Sequence, residues 1–207
     1  MTVPIFLAKP KLVPAGYLIV QEFEDLIITS DYRRSFGPYY GVDRRPPFIA
    51  TDDIIRSELG VPPVTDERLS AALDEWFESR PASTGFFPSE SQAVRLVDTF
   101  RSFGYRVELL YCQLALKEGD EGRLSDYKKI DVPEPVVRTT FGFDVSWPTC
   151  NHSAILQPGL VPNNPSWRYR LNQYGLLDYF IHALQLREEY LRIQPEIPFD
   201  IFLVHKV

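Results

Sequence analysis

The sequence is poor in the residues from which disulfide frameworks, metal sites and phosphate-binding loops are built. It has 2 cysteines and 3 histidines in 207 residues, a poor supply for a disulfide framework or a four-ligand zinc site. Its 11 glycines are scattered, and no Gly-x-Gly-x-x-Gly, Walker or Gly-x-Ser-x-Gly motif occurs. We therefore expect no metal and no bound cofactor.

Basic residues and long apolar runs are also scarce. The 22 lysine and arginine residues are outnumbered by 28 acidic ones, which gives a net charge of −6. Nucleic acid is disfavoured as a partner because phosphate binding needs a basic face, whereas a basic protein partner would suit this charge. No stretch approaches the roughly 18 apolar residues that span a bilayer, and Pro4, Lys9 and Pro10 interrupt the apolar N-terminal stretch. We expect no membrane partner, no signal peptide and a cytoplasmic location.

The residues that are present are typical of a folded domain, with 44% hydrophobic and 24% charged. The clearest pattern begins at Ser89, which has the spacing of a helix capping box with Gln92. Gly104 is placed to end this helix, and an apolar strand over Tyr105–Leu116 follows. The apolar stripe predicted for the helix comprises Ala93, Val94, Leu96, Val97, Phe100 and Phe103. A helix that leads into a buried strand indicates a mixed helix-and-sheet core.

A second helix followed by a strand is predicted near the C-terminus. Asp178 is placed to cap a helix that carries Phe180 and Tyr190, and a strand over Phe199–His205 follows. The two units share a plan but no detectable sequence repeat. The other predicted elements are strands over Tyr17–Phe23, Asp25–Thr29 and Phe141–Trp147, a helix over Asp52–Leu59 and a helix capped by Thr65 that buries Leu69, Ala72, Leu73, Trp76 and Phe77. The first two strands can alternatively be one bulged strand.

No composition change divides the chain, so we predict a single α+β domain over residues 1–207. Its sheet is expected to be mixed or mainly antiparallel, with about five strands and three to four helices packed on it. The polar residues 117–134 are expected to form an exposed connection.

The best candidate for chemistry is a carboxylate, a thiol and an imidazole that lie close in sequence: Asp144, Cys150 and His152. In a cysteine enzyme the imidazole takes the thiol proton and the carboxylate orients the ring, so these residue types fit a nucleophilic site. Such residues usually come from distant segments, and a strand end that happens to carry them is the commoner interpretation. Zinc is disfavoured because Cys150 and His152 supply two of four ligands.

A second candidate is the long aperiodic segment over residues 30–47, which is rich in tyrosine and arginine. Both residue types are enriched in binding hot spots, because tyrosine offers contact area at small entropic cost and arginine binds carboxylates bidentately. The candidate partner-binding residues are Tyr32, Arg33, Arg34, Tyr39, Tyr40, Arg44 and Arg45. The alternative is a loop folded back on its own domain, with its arginines paired to neighbouring aspartates.

Three segments in the last third of the chain carry a resemblance to a known class of protein. They are Phe141-Gly-Phe-Asp-Val-Ser-Trp-Pro148, Ser153-Ala-Ile155 and Leu171-Asn-Gln-Tyr-Gly-Leu-Leu-Asp178. This pattern resembles bacterial immunity proteins of polymorphic toxin systems and related uncharacterised proteins. The resemblance implies a protein that binds a toxin, and it transfers no binding residue because it lies in apolar and turn positions.

The missing catalytic signature, the acidic charge, the aromatic loop and this resemblance together predict a non-catalytic cytosolic binding protein. An immunity-type inhibitor that binds and occludes a protein toxin is the leading hypothesis. Two alternatives remain open: an enzyme that uses Cys150, His152 and Asp144, and a structural or assembly subunit.

Overall fold

The computed structural model describes residues 9–21, 66–78, 86–104, 107–120, 135–146, 154–155, 165 and 169–207. In chain order the described elements are β1 (Lys11–Gln21), α1 (Glu67–Glu78), α2 (Glu90–Ser102), β2 (Val107–Leu116), β3 (Thr139–Ser146), α3 (Phe180–Ile193) and β4 (Asp200–Lys206). The four strands form one sheet in the order β1-β2-β4-β3, and each neighbouring pair is antiparallel. The predicted α+β class with a mainly antiparallel sheet is therefore confirmed. The strand expected over Asp25–Thr29 and the helix expected over Asp52–Leu59 lie outside the described residues.

Strand β1 begins earlier than the sequence pattern predicts, at Lys11 rather than Tyr17. Pro14 lies within it, and the register with β2 shifts between Pro14 and Gly16. A proline has no N–H to donate, so a strand tolerates it at a bulge or on the edge of a sheet, and β1 offers both.

The central strands β2 and β4 are covered on both faces, as predicted for β2. Leu114 and Val204 are buried on one face, and Tyr111 and Ile201 are buried on the other. Cys112 lies opposite Val204, is also buried, and is a thiol rather than half of a disulfide. Cys150 lies outside the described residues.

Helix α2 forms as its sequence pattern predicts. The Ser89 hydroxyl accepts a hydrogen bond from the backbone N–H of Gln92 at 3.3 Å, and Gly104 follows the helix with a φ of 86°. The buried residues are Ala93, Leu96, Val97 and Phe100. Val94 was wrongly included in the stripe: it is 40% exposed, because one step from Ala93 turns it about 100° away from the buried face.

Helix α1 begins one residue later than its predicted cap implies. The carboxylate of Asp66, not Thr65, caps it by accepting from the backbone N–H groups of Arg68 and Leu69 at 2.9 and 3.3 Å. Leu69 and Ala72 are buried as predicted. The side chains of Leu73, Trp76 and Phe77 lie outside the described part of the structure.

One ion pair contradicts the expectation that the connection after β2 is simply exposed. The Asp120 carboxylate lies 2.9 Å from the guanidinium of Arg187 in α3, and the two side chains are 13% and 5% exposed. Arg187 therefore faces the protein interior. The sequence pattern did not predict a charged residue on the buried face of α3. This pair attaches the turn after β2 to α3.

The sheet consists of two halves built on one plan, which we call the first half (β1, α2 and β2) and the second half (β3, α3 and β4). In each half the outer strand has a register shift that ends at a glycine, Gly16 or Gly142. The residue that follows this glycine forms an isolated bridge with a residue three positions before the first residue of the helix. Tyr17 and Phe87 exchange two backbone hydrogen bonds of 2.9 Å, while Phe143 and Leu177 exchange bonds of 2.7 and 3.0 Å. The shared helix-then-strand plan thus extends to the outer strand and its bridge.

The strand register relates the two halves by an approximate twofold axis through the middle of the sheet. Tyr111 in β2 and Leu203 in β4 pair with the bridged residues of the outer strands. Counting along the two central strands places the opposed pair of Cys112 and Val204 on the axis. Directly opposed residues share a face of an antiparallel sheet. Both helices therefore pack on one face, where α2 covers Tyr111 and α3 contacts Phe143.

On this face Gln113 and His205 occupy equivalent positions in the two halves and contact each other across the axis. His205 Nε2 lies 3.0 Å from Gln113 Oε1, and its Nδ1 lies 3.1 Å from the Thr140 hydroxyl. A neutral imidazole satisfies both contacts, because the hydroxyl then donates to Nδ1 and the Nε2–H donates to the amide oxygen. Burial lowers the pKa of His205, which favours this neutral form.

Candidate functional site at the start of helix α3

Of the predicted site residues, the structure describes only Asp144. All seven tyrosines and arginines of the predicted partner-binding loop lie outside the described residues, as do Cys150 and His152. Asp144 is described and is fully buried in β3, where its carboxylate accepts a hydrogen bond from the Ser146 hydroxyl at 3.1 Å. Its carboxylate is thus held within the sheet, opposite Phe202 of β4.

The start of α3 differs from the prediction. The helix begins at Phe180, and its N-cap residue is Tyr179, whose side chain makes no capping hydrogen bond. Asp178 is not the cap: its carboxylate accepts a hydrogen bond of 2.9 Å from the Asn172 side-chain amide. Tyr179 is 64% exposed, so a large aromatic ring stands in solvent at a position that usually carries a small polar residue.

The turn before α3 is held by the side chain of Asn172. Its amide oxygen accepts from the backbone N–H groups of Tyr174 and Leu176 at 2.9 and 3.2 Å. Its amide nitrogen donates to the Phe141 carbonyl at 2.7 Å and to Asp178 at 2.9 Å. These four bonds join β3, the turn and the start of α3, so the residues around Tyr179 are presented by a rigid base.

A close backbone approach completes this base. Gly142 has a φ of 131°, and a Cβ placed there would lie 2.8 Å from the Leu177 carbonyl and 2.9 Å from the Asn172 amide nitrogen. Only glycine permits this approach. The turn therefore lies directly against the outer edge of β3.

Between β3, the turn and the first turn of α3 there is an open cleft of about 610 Å³. Its lining residues are Thr140, Phe141, Arg170, Leu171, Asn172, Gln173, Tyr174, Asp178, Tyr179 and His182. Phe141, Asp178 and the residues over 171–174 belong to the segments that carry the resemblance, but none of the lining residues was predicted to bind a partner, because they come from three separate elements. A tyrosine where a helix cap is expected was the one local signal that could have indicated the site.

The cleft lining includes the rings of Phe141, Tyr174, Tyr179 and His182, which contact one another in pairs. Tyr174 stacks on Phe141 with ring centroids 4.3 Å apart and planes 22° from parallel. His182 contacts the edge of Tyr179 at 5.5 Å and lies 6.1 Å from Tyr169. The rings are therefore placed before any ligand arrives, which lowers the entropic cost of binding.

The charged groups of the cleft are few and of both signs. Arg170 and Asp178 are exposed, and the Tyr169 hydroxyl behind His182 donates to the Glu189 carboxylate at 2.8 Å. Within the described ranges, no three histidine, cysteine or acidic side chains are grouped to hold a metal ion. This arrangement suits binding through aromatic contact and single charges.

Comparison with known proteins finds no matching family model, no similar curated protein and no similar solved structure. The resemblance of the last third of the chain to immunity proteins therefore stays a prediction. None of the helices in the described part of the chain is both long and apolar enough to cross a bilayer.

Proposed function

We propose that this chain is a non-catalytic protein-binding module of the immunity type, which inhibits a protein toxin by covering its active site. The observation that carries the proposal is the exposed Tyr179 at the N-cap of α3, beside a cleft of about 610 Å³. Tyrosine is among the residues most enriched in binding hot spots, and a preformed concave site next to it gives a partner side chain a place to enter.

A departure from local helix chemistry supports a binding role for Tyr179. Serine, aspartate or asparagine at an N-cap stabilises a helix by about 1 kcal/mol through its hydrogen bond to the first turn. Tyr179 makes no such bond. Positions that break a local rule are often functional, since selection for binding opposes selection for stability there.

The sequence resemblance supports the immunity version of this proposal in one specific way. The segment Leu171–Asp178, which carries part of the resemblance, contains the Asn172 hydrogen bonds and lines the cleft. Inhibition needs only that a rigid body covers the toxin's active site, so the mechanism is steric and asks no chemistry of this chain. The aromatic segment over residues 30–47 remains a second predicted contact surface.

The test is co-expression with the product of the adjacent gene, followed by co-purification and titration calorimetry. A dissociation constant of about nanomolar order is expected for the wild type. Tyr179→Ala should weaken binding about thirtyfold, the loss typical of a hot-spot residue. Val94→Ala, which also trims an exposed side chain but in α2, is the matched control and should bind as the wild type does. If both variants bind with equal affinity, the cleft is not part of the binding site. If the wild type forms no complex, the proposed inhibitor function is wrong.

The two alternatives stay predictions with tests of their own. An enzyme using Cys150, His152 and Asp144 predicts a reactive thiolate, so Cys150 should be alkylated faster than free cysteine at neutral pH. An assembly subunit predicts a stable homo-oligomer, which light scattering detects.

A further inference from the structure

We infer that the cleft at the start of α3 receives a single, isolated lysine or arginine side chain of a protein partner. This inference rests on the proposed function and specifies its chemistry. It joins three features of the site: aromatic rings with exposed faces or edges, one exposed carboxylate at the rim, and an acidic chain around them.

The aromatic rings favour a cation over an anion. Tyr174 and Tyr179 line the cleft, and the face of a tyrosine ring carries negative charge density that attracts ammonium and guanidinium groups. Tyr179 is 64% exposed, so part of its ring remains available to a ligand beside its edge contact with His182. An anionic side chain in the same position would meet the unfavourable face of the rings.

Asp178 provides the charge partner. Its carboxylate is exposed at the cleft, and one oxygen is held by the Asn172 amide at 2.9 Å. This bond orients the carboxylate and leaves it with acceptor positions for a donor from the partner. A lysine or arginine that enters between the tyrosines therefore has a hydrogen-bonding acceptor of opposite charge at the rim.

Arg170 lines the same cleft and has the opposite effect. One positive charge at the rim disfavours a second cation beside the first, because like charges placed together at a binding site repel. The cleft should therefore prefer an isolated lysine or arginine to a run of basic residues. The net charge of −6 on the whole chain still attracts a basic partner at long range.

The experiment titrates the full-length labelled protein with four capped amino acids and follows backbone amide and aromatic signals by NMR. The probes are the N-acetyl methylamides of lysine, arginine, norleucine and glutamate. Lysine and arginine should shift the signals of Tyr174, Tyr179 and His182 at concentrations at least fivefold lower than the neutral norleucine probe. Glutamate should leave these signals unchanged.

Two variants test the roles of the charges. Asp178→Asn keeps an acceptor for Asn172, and should weaken lysine binding about fivefold while norleucine binding stays the same. Arg170→Gln should strengthen lysine binding about threefold. The unchanged signals of Phe143 and Leu177 would show that the bridge under the turn is intact in both variants.

The outcomes separate this inference from the proposed function. If glutamate or norleucine shifts the cleft signals at equal or lower concentration than lysine, the cationic specificity is wrong and the cleft stands as a binding site. If no probe shifts them, the inference is also wrong, and the calorimetric comparison of Tyr179→Ala with Val94→Ala still decides the proposed function.

Discussion

The two halves of the sheet stabilise the same plan by different contacts. In the first half, Tyr17 after the bulge donates through its hydroxyl to Glu90 at the start of α2, at 3.3 Å. In the second half the equivalent residue is Phe143, which packs its ring against Phe180 at the start of α3. A hydrogen bond in one half thus corresponds to an aromatic contact in the other. The shared plan therefore requires a contact between these two positions, whereas the type of contact can differ.

The more instructive difference lies at the two helix starts. Counting from the bridged residue in each half, Ser89 corresponds to Tyr179, and Gln92 corresponds to His182. Ser89 caps its helix, and Gln92 donates to Glu75 of α1 at 3.0 Å. The corresponding tyrosine and histidine instead line an open cleft. Equivalent positions are therefore used for stability in the first half and remain available for recognition in the second.

The largest expected effect tests whether the two halves depend equally on their bridges. Gly16→Ala and Gly142→Ala should each destabilise the protein by about 3 kcal/mol or more, because the added Cβ meets a backbone carbonyl and the φ of 131° is strained for alanine. Gly104→Ala, where nothing lies within 4 Å of the Cβ and φ is 86°, should cost about 1 kcal/mol. Urea denaturation measures all three, and similar losses at Gly104 and Gly142 would contradict the close approach.

A somewhat smaller effect is expected at Asn172, which holds the turn before α3 in the second half. Asn172→Ala should cost about 2–3 kcal/mol, because the Phe141 carbonyl and two backbone N–H groups lose their partner. Exchanging the pair, as Asn172→Asp with Asp178→Asn, restores the bond between these two side chains and should recover part of the loss. Thermal unfolding followed by circular dichroism measures both; an exchange no better than the alanine variant would argue against the bond to Asp178.

Substitutions at the two helix N-caps exchange the roles of the two halves, and each should change the free energy of unfolding by about 1 kcal/mol. Ser89→Ala should destabilise the protein by roughly this amount, and Tyr179→Ser should stabilise it by a similar amount while partner binding weakens about thirtyfold. Denaturation midpoints give the two stability changes, and calorimetry gives the binding change. If Tyr179→Ser destabilised the protein, the tyrosine would have a structural role and its place in the binding proposal would weaken.

The smallest expected effect is the pH dependence of the contact between the halves. The unfolded pKa of a histidine is about 6.5, and burial lowers that of His205 in the folded protein. Below pH 6.5 the unfolded chain therefore takes up a proton that the folded protein refuses, so the free energy of unfolding falls as the pH drops towards the folded pKa. It is unaffected by this group above that range.

His205→Gln keeps a side chain that can bond to Gln113 and removes the titration. The variant should therefore lose less stability than the wild type between about pH 7.5 and pH 5.5. Urea unfolding at the two pH values gives the comparison. An equal loss of stability in both proteins would show that groups other than His205 cause the destabilisation at low pH.

The sequence predictions are accurate where an element depends on residues near it in the chain, and less accurate where it depends on residues distant in the chain. Helix α2 was predicted almost to the residue, because Ser89 and Gly104 act within one turn of the chain. The early start of β1 was missed because Pro14 is tolerated only where the sheet has an edge. Local patterns are sufficient for the first case, whereas the second depends on the neighbour of the strand.

The candidate site shows the same limit. Asp178 has the right residue type and position to cap α3, but Asn172, itself fixed by the Phe141 carbonyl, holds its carboxylate instead. Asp144 was a candidate because Cys150 and His152 are near it in sequence. Its carboxylate is buried in β3, and the other two residues lie outside the described part of the chain, so the trio stays a prediction. Nearness in sequence does not predict which side chains share a cleft.

The thiol of Cys112 lies where β2 meets β4 and is 1% exposed. Cys112 also pairs with Gly16 of β1, so a thiol reagent can reach its sulfur only when the packing around β2 opens. In a Cys150→Ser background, the rate of its modification would therefore report how often the structure around β2 opens, and with it the local stability at the centre of the sheet.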